Sequence, residues 1–332
     1  MLKPYNATIT GVGMYVPDKI LDNAYFESIV ETSDEWITTR TGIKERRVLE
    51  NGATSDLATK AAEDLLKAHN VNAENIDVII VATITPDMFF PATACLVQEN
   101  IGAKNAWGFD LSAACSGFLF AFQTACSLVE GGAYKKVLLI GADKMTSIVD
   151  YTDRNNCILF GDAAAAVLIE PTKDKKMGLQ DSILRCDGRG KEALYIKGGG
   201  SLNPSTHETV DKGMHYLYQD GKAVFKVAVK GMADVSYELM VKNKLSSNDI
   251  AYLVPHQANM RIIDATAERM GIDRNKVMIN IDKYGNTTAA TIPSCLVEYY
   301  RDGKIKKGDN LILAAFGAGF TWGALYVVWS MD

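Results

Sequence analysis

Apolar and polar positions along the chain follow two different periods. Between residues 56 and 69, Leu57, Ala61, Ala62, Leu65 and Leu66 recur every three to four positions, which predicts an amphipathic helix with one buried face. Val78-Ile-Ile-Val-Ala-Thr-Ile84 and Val137-Leu-Leu-Ile-Gly141 are near-continuous apolar runs, the pattern of strands buried on both faces. A further strand is expected over residues 7–13, and an apolar helix over Phe118–Val129. Helices alternating with such strands predict an α/β architecture with a largely parallel sheet.

The order then repeats. Ala58–Asp77 aligns without gaps on Met232–Ala251 at a shift of 174 residues, and the strand from Val137 falls on an apolar run from Leu311 at the same shift. Phe109-Asp110 falls on Ile281-Asp282 at a shift of 172. Three segments in nearly one register predict a duplicated unit, residues 1–172 and 173–332. An irregular stretch from about 171 to 224, with Gly198-Gly-Gly200, Pro204 and Gly213, is expected to join the halves. Equivalent strand ends converge on one crevice, where open α/β sheets bind ligands. Position 82 corresponds to His256, and the loop around Cys115 to the loop around Asn286. A thiol, an imidazole and a carboxamide are therefore expected to face one pocket.

Composition narrows the function. The 332 residues, 48% of them hydrophobic, are enough to fill two substantial cores. A net charge of −5 argues against a general nucleic-acid or anionic-membrane binder. No apolar run nears the roughly 20 residues that span a bilayer, and Met1-Leu-Lys-Pro-Tyr-Asn6 lacks a signal core, so a cytoplasmic protein is expected. The six cysteines, at 95, 115, 126, 157, 186 and 295, form no C-x-x-C pair and have no histidine-rich companion, which predicts free thiols and no metal site. Gly11-Val-Gly13 lacks the third glycine of a dinucleotide fingerprint and meets Pro17 where a helix should run.

Cys115 carries the first candidate chemistry. It follows a short apolar run and precedes the helix from Phe118, so it sits near a helix start, where orphan N–H groups and the dipole favour a thiolate. Taken alone, it reads either as that nucleophile or as a small buried hydrophobe. Thr32 or Ser33 can cap a short helix with Trp36 and Arg40 on one face, either to sandwich a planar ligand or as a surface cation–π pair. His256, after Pro255 at a strand end, is open to a catalytic or a structural role.

Six segments carry a resemblance over essentially the whole chain. They are Thr32-Ser-Asp-Glu-Trp-Ile-Thr-Thr-Arg-Thr-Gly-Ile43, Asp110-Leu-Ser-Ala-Ala-Cys-Ser-Gly117, Phe160-Gly-Asp-Ala163, Val254-Pro-His-Gln-Ala-Asn-Met-Arg-Ile262, Tyr284-Gly-Asn-Thr-Thr288 and Phe316-Gly-Ala-Gly-Phe-Thr-Trp-Gly323. Together they resemble the β-ketoacyl-acyl-carrier-protein synthases III of the thiolase-like superfamily. The resemblance implies a duplicated five-layer α/β/α/β/α sandwich, a homodimer, and a decarboxylative Claisen condensation. An acyl-CoA loads Cys115, and malonyl on acyl carrier protein then loses carbon dioxide and attacks the acyl group, with no cofactor beyond these substrates. His256 Nε2 and the Asn286 amide are implied to hold the enolate-like oxygen, and the N–H groups of Cys115 and Ala318 the oxyanion. Ala318 stands where the family often has glycine.

Binding roles carry over in the same way. Trp36, Arg40 and Arg154 are implied around the adenine and phosphates of CoA, Phe225 and Asn259 along its pantetheine arm, and Phe90 at the acyl pocket across the dimer. Lys226, Lys230, Arg261 and Arg269 form the implied carrier-protein face, interrupted by Glu268; the bland alternative is a solvated charged surface. Related enzymes that make polyketide starters, join acyl chains or transfer acyl groups to oxygen or nitrogen share the triad. A degradative thiolase is disfavoured, because Phe316–Gly323 contains no second cysteine.

Overall fold

The two long apolar runs become the middle strands of two sheets. The computed structural model describes residues 5–332. Its first half runs β1 (Asn6–Tyr15), β2 (Lys19–Asp22), α1 (Asn23–Glu27), α2 (Asp34–Thr41), β3 (Glu45–Val48), α3 (Thr54–Ala68), β4 (Val78–Ala82), α4 (Thr93–Asn100), β5 (Trp107–Leu111), α5 (Gly117–Glu130), β6 (Val137–Asp143) and β7 (Ala163–Thr172). The second runs β8 (Gly178–Cys186), β9 (Leu194–Ile196), α6 (His207–Asp211), β10 (Leu217–Gln219), α7 (Gly221–Lys242), β11 (Tyr252–Pro255), α8 (Met260–Met270), α9 (Ile281–Tyr284), α10 (Thr291–Arg301), β12 (Asn310–Gly317) and β13 (Thr321–Val328).

The first sheet has the order β1-β7-β6-β4-β5 and the second β8-β13-β12-β11. The pairings match. β6–β4 and β12–β11 are parallel, and β1–β7–β6 and β8–β13–β12 are antiparallel. Each sheet is thus mixed, with its parallel pairs in the β4–β6 and β11–β12 region. The counterpart of β5 is reduced to one parallel bridge, Leu253 to Val277. This corrects the expected match of Phe109-Asp110 to Ile281-Asp282, since Ile281 opens the short helix α9. The stretch expected to be irregular also holds β8, a nine-residue edge strand paired to β13. Its polar and half-buried positions hid it from a search for apolar runs.

Alternation along the strands builds five layers. Val78, Ile80 and Ala82 face a central core, while Ile79 and Val81 face an outer one. In β12, Leu311, Leu313 and Ala315 enter the same central core, while Ile312, Ala314 and Phe316 face the other side. The central layer is α5 and α10, through Phe118, Phe122, Cys126, Ile292, Cys295 and Leu296. Helices α3 and α4 cover the first sheet, and α7 and α8 the second. Cys126 and Cys295 are therefore packing thiols, shut between the two sheets.

One departure from the duplication shapes the site. α3 begins at Thr54, whose counterpart at the shift of 174 is Ala228, yet α7 begins at Gly221. Two extra turns, about 10 Å of helix, carry Lys222, Val224 and Phe225 to the wall of a cavity.

Candidate active site

Residues Ala113 to Gly117 turn the chain sharply from β5 into α5. Ala114 takes a left-handed φ of 48°, and Ala114–Ser116 forms a 3-10 turn that leads into the helix. Cys115 thus sits just ahead of the central helix, 9% exposed, at the floor of a cavity of about 1260 Å³. The loop after β12 lies against it. A Cβ on Gly317 would come within 2.8 Å of the Cys115 N, so only glycine permits this approach. Ser116 Oγ donates to the Thr321 carbonyl at 2.9 Å, and Thr321 Oγ1 donates to the Ala113 carbonyl at 3.0 Å, fastening loop to turn. Ala318 lines the cavity and is not among the residues with positive φ, so its Cβ costs the backbone nothing.

The thiolate expected from the helix start is not the resting form. Burial pushes the Cys115 thiol up to about 12, and the charge of buried Asp143 adds to the rise. A helix N-terminus at this position still favours negative charge that develops close by.

His256 directly follows β11. Its N–H donates to the Ala314 carbonyl at 2.7 Å, which locks it to β12, and its Nδ1 is hydrogen-bonded with Thr291 Oγ1 at 2.7 Å. Burial lowers the imidazole to about 3, so the ring is neutral. Its neighbour Gln257, fully buried, ties the two arms of the site. Its Nε2 donates to the Pro255 and Met278 carbonyls at 2.8 and 3.1 Å, and its Oε1 accepts from the N–H groups of Asn280 and Ile281 at 3.1 and 3.2 Å.

Asn286 is held by its backbone in a bridge to Phe160, with its N–H donating to the Leu159 carbonyl at 2.8 Å. Its side-chain Oδ1 accepts the Thr288 N–H at 2.9 Å. With the oxygen engaged, the amide N–H₂ is the free end of a side chain that lines the cavity. Thr288, at φ 49°, donates its hydroxyl to Asp143. The other carboxylate oxygen accepts from Thr83 Oγ1, Ile84 N and Thr85 Oγ1 at 2.8–2.9 Å, and from Thr85 N at 3.2 Å. Burial holds the Asp143 carboxyl above its ordinary range, against the pull of these donors. The sequence signalled neither Gln257 nor Asp143 as a support, because a buried bracing group has no spacing of its own.

Other candidates distribute around the cavity mouth. Ser33 caps α2 through the Trp36 N–H at 3.1 Å, and the Arg40 and Arg154 guanidinium groups lie 5.3 and 5.0 Å from the Trp36 ring centroid. Trp36, Arg40, Phe225 and Asn259 line the cavity. Asn259 caps α8, its Oδ1 accepting the Arg261 N–H at 2.9 Å, and Arg261 stacks at 4.6 Å on Phe225. Lys226, Lys230 and Arg261 are exposed and pair with no carboxylate among the described residues. Arg269, in contrast, is paired to Asp234 at 3.2 Å and stacks on Tyr237. Phe90 is 84% exposed and lies outside the cavity of its own chain.

A duplicated five-layer sandwich with a cysteine at the head of its central helix, facing a histidine and an asparagine, defines a thiolase-like, acyl-transferring condensing enzyme. The sequence description of 3-oxoacyl-[acyl-carrier-protein (ACP)] synthase III matches residues 109–188, and that of its C-terminal part residues 240–329. The chain is 59% identical to beta-ketoacyl-[acyl-carrier-protein] synthase III of Chlorobium chlorochromatii, covering 97% of this chain and 99% of that one. It is 52% identical to the synthase III 2 of Bacteroides thetaiotaomicron over 100% and 98% of the two chains. The crystal structure of the Aquifex aeolicus synthase III superposes with a TM-score of 0.90 at 43% identity, covering 97% and 100%. The chain belongs to the β-ketoacyl-[acyl-carrier-protein] synthase III family.

Proposed function

We propose that this chain performs the condensation that initiates fatty-acid synthesis, joining an acyl-CoA primer to malonyl carried on acyl carrier protein. The observation that carries the reading is the meeting, in one cavity, of Cys115, neutral His256 and an Asn286 amide whose N–H₂ end is fixed. In the first half-reaction the Cys115 Sγ bonds to the acyl carbonyl carbon, the bond from that carbon to the CoA sulfur breaks, and the thiol proton leaves with CoA. The N–H groups of Cys115 and Ala318 take the oxyanion. In the second, the bond from the malonyl carbon to its carboxylate breaks, and the electron pair becomes an enolate held by the His256 Nε2–H and Asn286 Nδ2–H. Its carbon attacks the acyl group, and the thiolate released at Cys115 takes up one proton. Neutral donors suit this step, since neither removes a proton from the substrate.

The mouth supports the choice of carriers. Trp36 beside two guanidinium groups matches a purine with phosphates, and the cations Lys226, Lys230 and Arg261 beside the mouth match an acidic carrier protein. We take Arg269, already neutralised by Asp234, as the weakest member of that face. The chain acts as a homodimer in this reading. β5 is an edge strand that opens on half-exposed Trp107, Phe89 and Phe90 are exposed in the loop after β4, and a second copy would cover this edge and bring Phe90 to the other acyl pocket. Sedimentation at the mass of one chain would overturn the dimer. We take the enzyme to be cytoplasmic: no helix among the described residues is long and apolar enough to cross a membrane, and none of the six cysteines is in a disulfide.

Mass spectrometry after incubation with acetyl-CoA tests the chemistry. Wild type is expected to gain one acetyl group and Cys115→Ala none. Asn286→Asp is expected to load but to release carbon dioxide from malonyl carrier protein about 10²–10³-fold more slowly, because a carboxylate repels the enolate. Acetyl retained on Cys115→Ala removes the nucleophile from the proposal.

A further inference from the structure

The two turns that α7 has beyond its counterpart α3 bring one more cation to the cavity. Lys222 lines the wall and is exposed, and its ammonium pairs with no carboxylate among the described residues. Three residues on, Phe225 shares its face of the helix, and the Arg261 guanidinium stacks on the Phe225 ring at 4.6 Å. Cations from α7 and α8 thus gather at one aromatic ring, and all three side chains line the cavity. The carboxylates of the same wall are engaged elsewhere. Asp220 accepts the N–H groups of Lys222 and Ala223 at 3.1 and 3.0 Å, and Asp153 accepts the Asn155 N–H at 2.9 Å and the Asn156 amide at 2.5 Å. An anion that enters past these two charges needs cations of its own to meet, and Lys222 with Arg261 supplies them. The other cationic group, Arg40 and Arg154 at Trp36, stands on α2 and in the loop after β6, where a ring suits the purine end of CoA.

We propose that Lys222, with Arg261 beside it, binds the phosphate esterified to the pantetheine arm, and that this one phosphodiester site serves CoA during loading and acyl carrier protein during decarboxylation. It rests on the two carriers assigned above. Both carry the same arm and the same phosphate, and they differ only beyond it. An ammonium on a flexible stem takes a phosphate oxygen as a point charge and imposes no fork geometry, so it accepts either carrier.

Lys222→Met keeps an apolar stem and removes the charge; Lys222→Arg restores the charge. Loading of Cys115 is followed by mass spectrometry with acetyl-phosphopantetheine and with acetyl-pantetheine, which lacks the phosphate. Wild type is expected to use the first about tenfold better in kcat/KM, the size of one charge-assisted hydrogen bond. In Lys222→Met that ratio should fall to about twofold, and Lys222→Arg should recover most of it. A change that merely disturbs the wall slows both donors alike and leaves the ratio at its wild-type value. With the whole carriers, Lys222→Met should raise the KM of acetyl-CoA and of malonyl carrier protein about three- to tenfold, with kcat little changed. An unchanged ratio in the methionine enzyme overturns the phosphate contact, and a KM that rises for one carrier alone overturns the shared site. Wild type that loads acetyl from no donor sinks the catalytic reading instead, which keeps the two failures apart.

Discussion

The turn that holds Cys115 and the turn 174 residues later share one backbone and have opposite chemistry. Ala114 and Thr288 have φ of 48° and 49°, each opens a 3-10 turn, and each turn leads into a central helix, α5 or α10. Yet Cys115 corresponds to Ala289, Asn286 to Ser112, and His256 to Ala82. Asp143, which braces the Thr288 turn, corresponds to Gly317, whose lack of a side chain lets the end of β12 pack directly against the Cys115 N–H. Duplication thus supplied two equivalent strand-to-helix corners, and substitution placed at one the thiol that serves as nucleophile in the proposed reaction. The other carries Asn286 on a turn braced by Asp143. The sheet geometry brings the two corners to one cavity, so in the proposed reaction neither half acts alone.

Moving the thiol is the strongest way to break this comparison. If the corners were interchangeable, the double variant Cys115→Ala with Ala289→Cys would still load acetyl. Ala289, however, is 1% exposed and does not line the cavity, and its carbonyl packs so closely on Gly141 that a Cβ there would come within 2.3 Å. The double variant is expected to gain no acetyl group by mass spectrometry, a complete loss.

A smaller effect reads the charge of Asp143, the brace of the second corner, on the thiol of the first. The Cys115 thiol is pushed up to about 12, so at any lower pH its thiolate fraction grows tenfold per unit. Iodoacetamide alkylation of Cys115 is expected to rise about tenfold per pH unit from 7 to 10 without levelling. Asp143→Asn removes the nearby charge and should shift the whole profile to lower pH. A plateau below pH 9 in wild type would show a thiol that the cavity does not suppress.

Much of this was legible before the fold. The apolar runs at Val78 and Val137 became doubly buried strands, because short continuous hydrophobic runs have few other homes in an α/β fold. The constant shift of 174 located the corner equivalence, since loops of equal length preserve register. Two kinds of feature escaped. β8 alternates only weakly, and its partner β13, not its own pattern, makes it a strand. Gln257, Asp143 and Thr291 each make a buried hydrogen bond, to Met278, Thr288 and His256, across 21 or more residues, and no local spacing announces such pairs. The resting state of Cys115 was misjudged for a related reason: helix position is visible in the sequence, whereas the depth of burial that opposes it is not.

The finest test uses glycine at the two left-handed positions. A residue with a Cβ in that conformation is strained by roughly 1–2 kcal/mol, and glycine is not. At Ala114 nothing else is lost, so Ala114→Gly should raise stability to urea by up to about 1 kcal/mol, allowing for the added freedom of the unfolded chain. At Thr288 the same change also strips the hydroxyl from buried Asp143, leaving an acceptor short of a donor at a cost of about 1–3 kcal/mol. Thr288→Gly is therefore expected to be neutral or destabilising, and to slow decarboxylation while sparing loading, because the N–H that orients Asn286 belongs to the loosened residue. Equal and favourable shifts at both positions would mean that Asp143 braces nothing, and the asymmetry between the corners would reduce to the identity of the side chains facing the cavity.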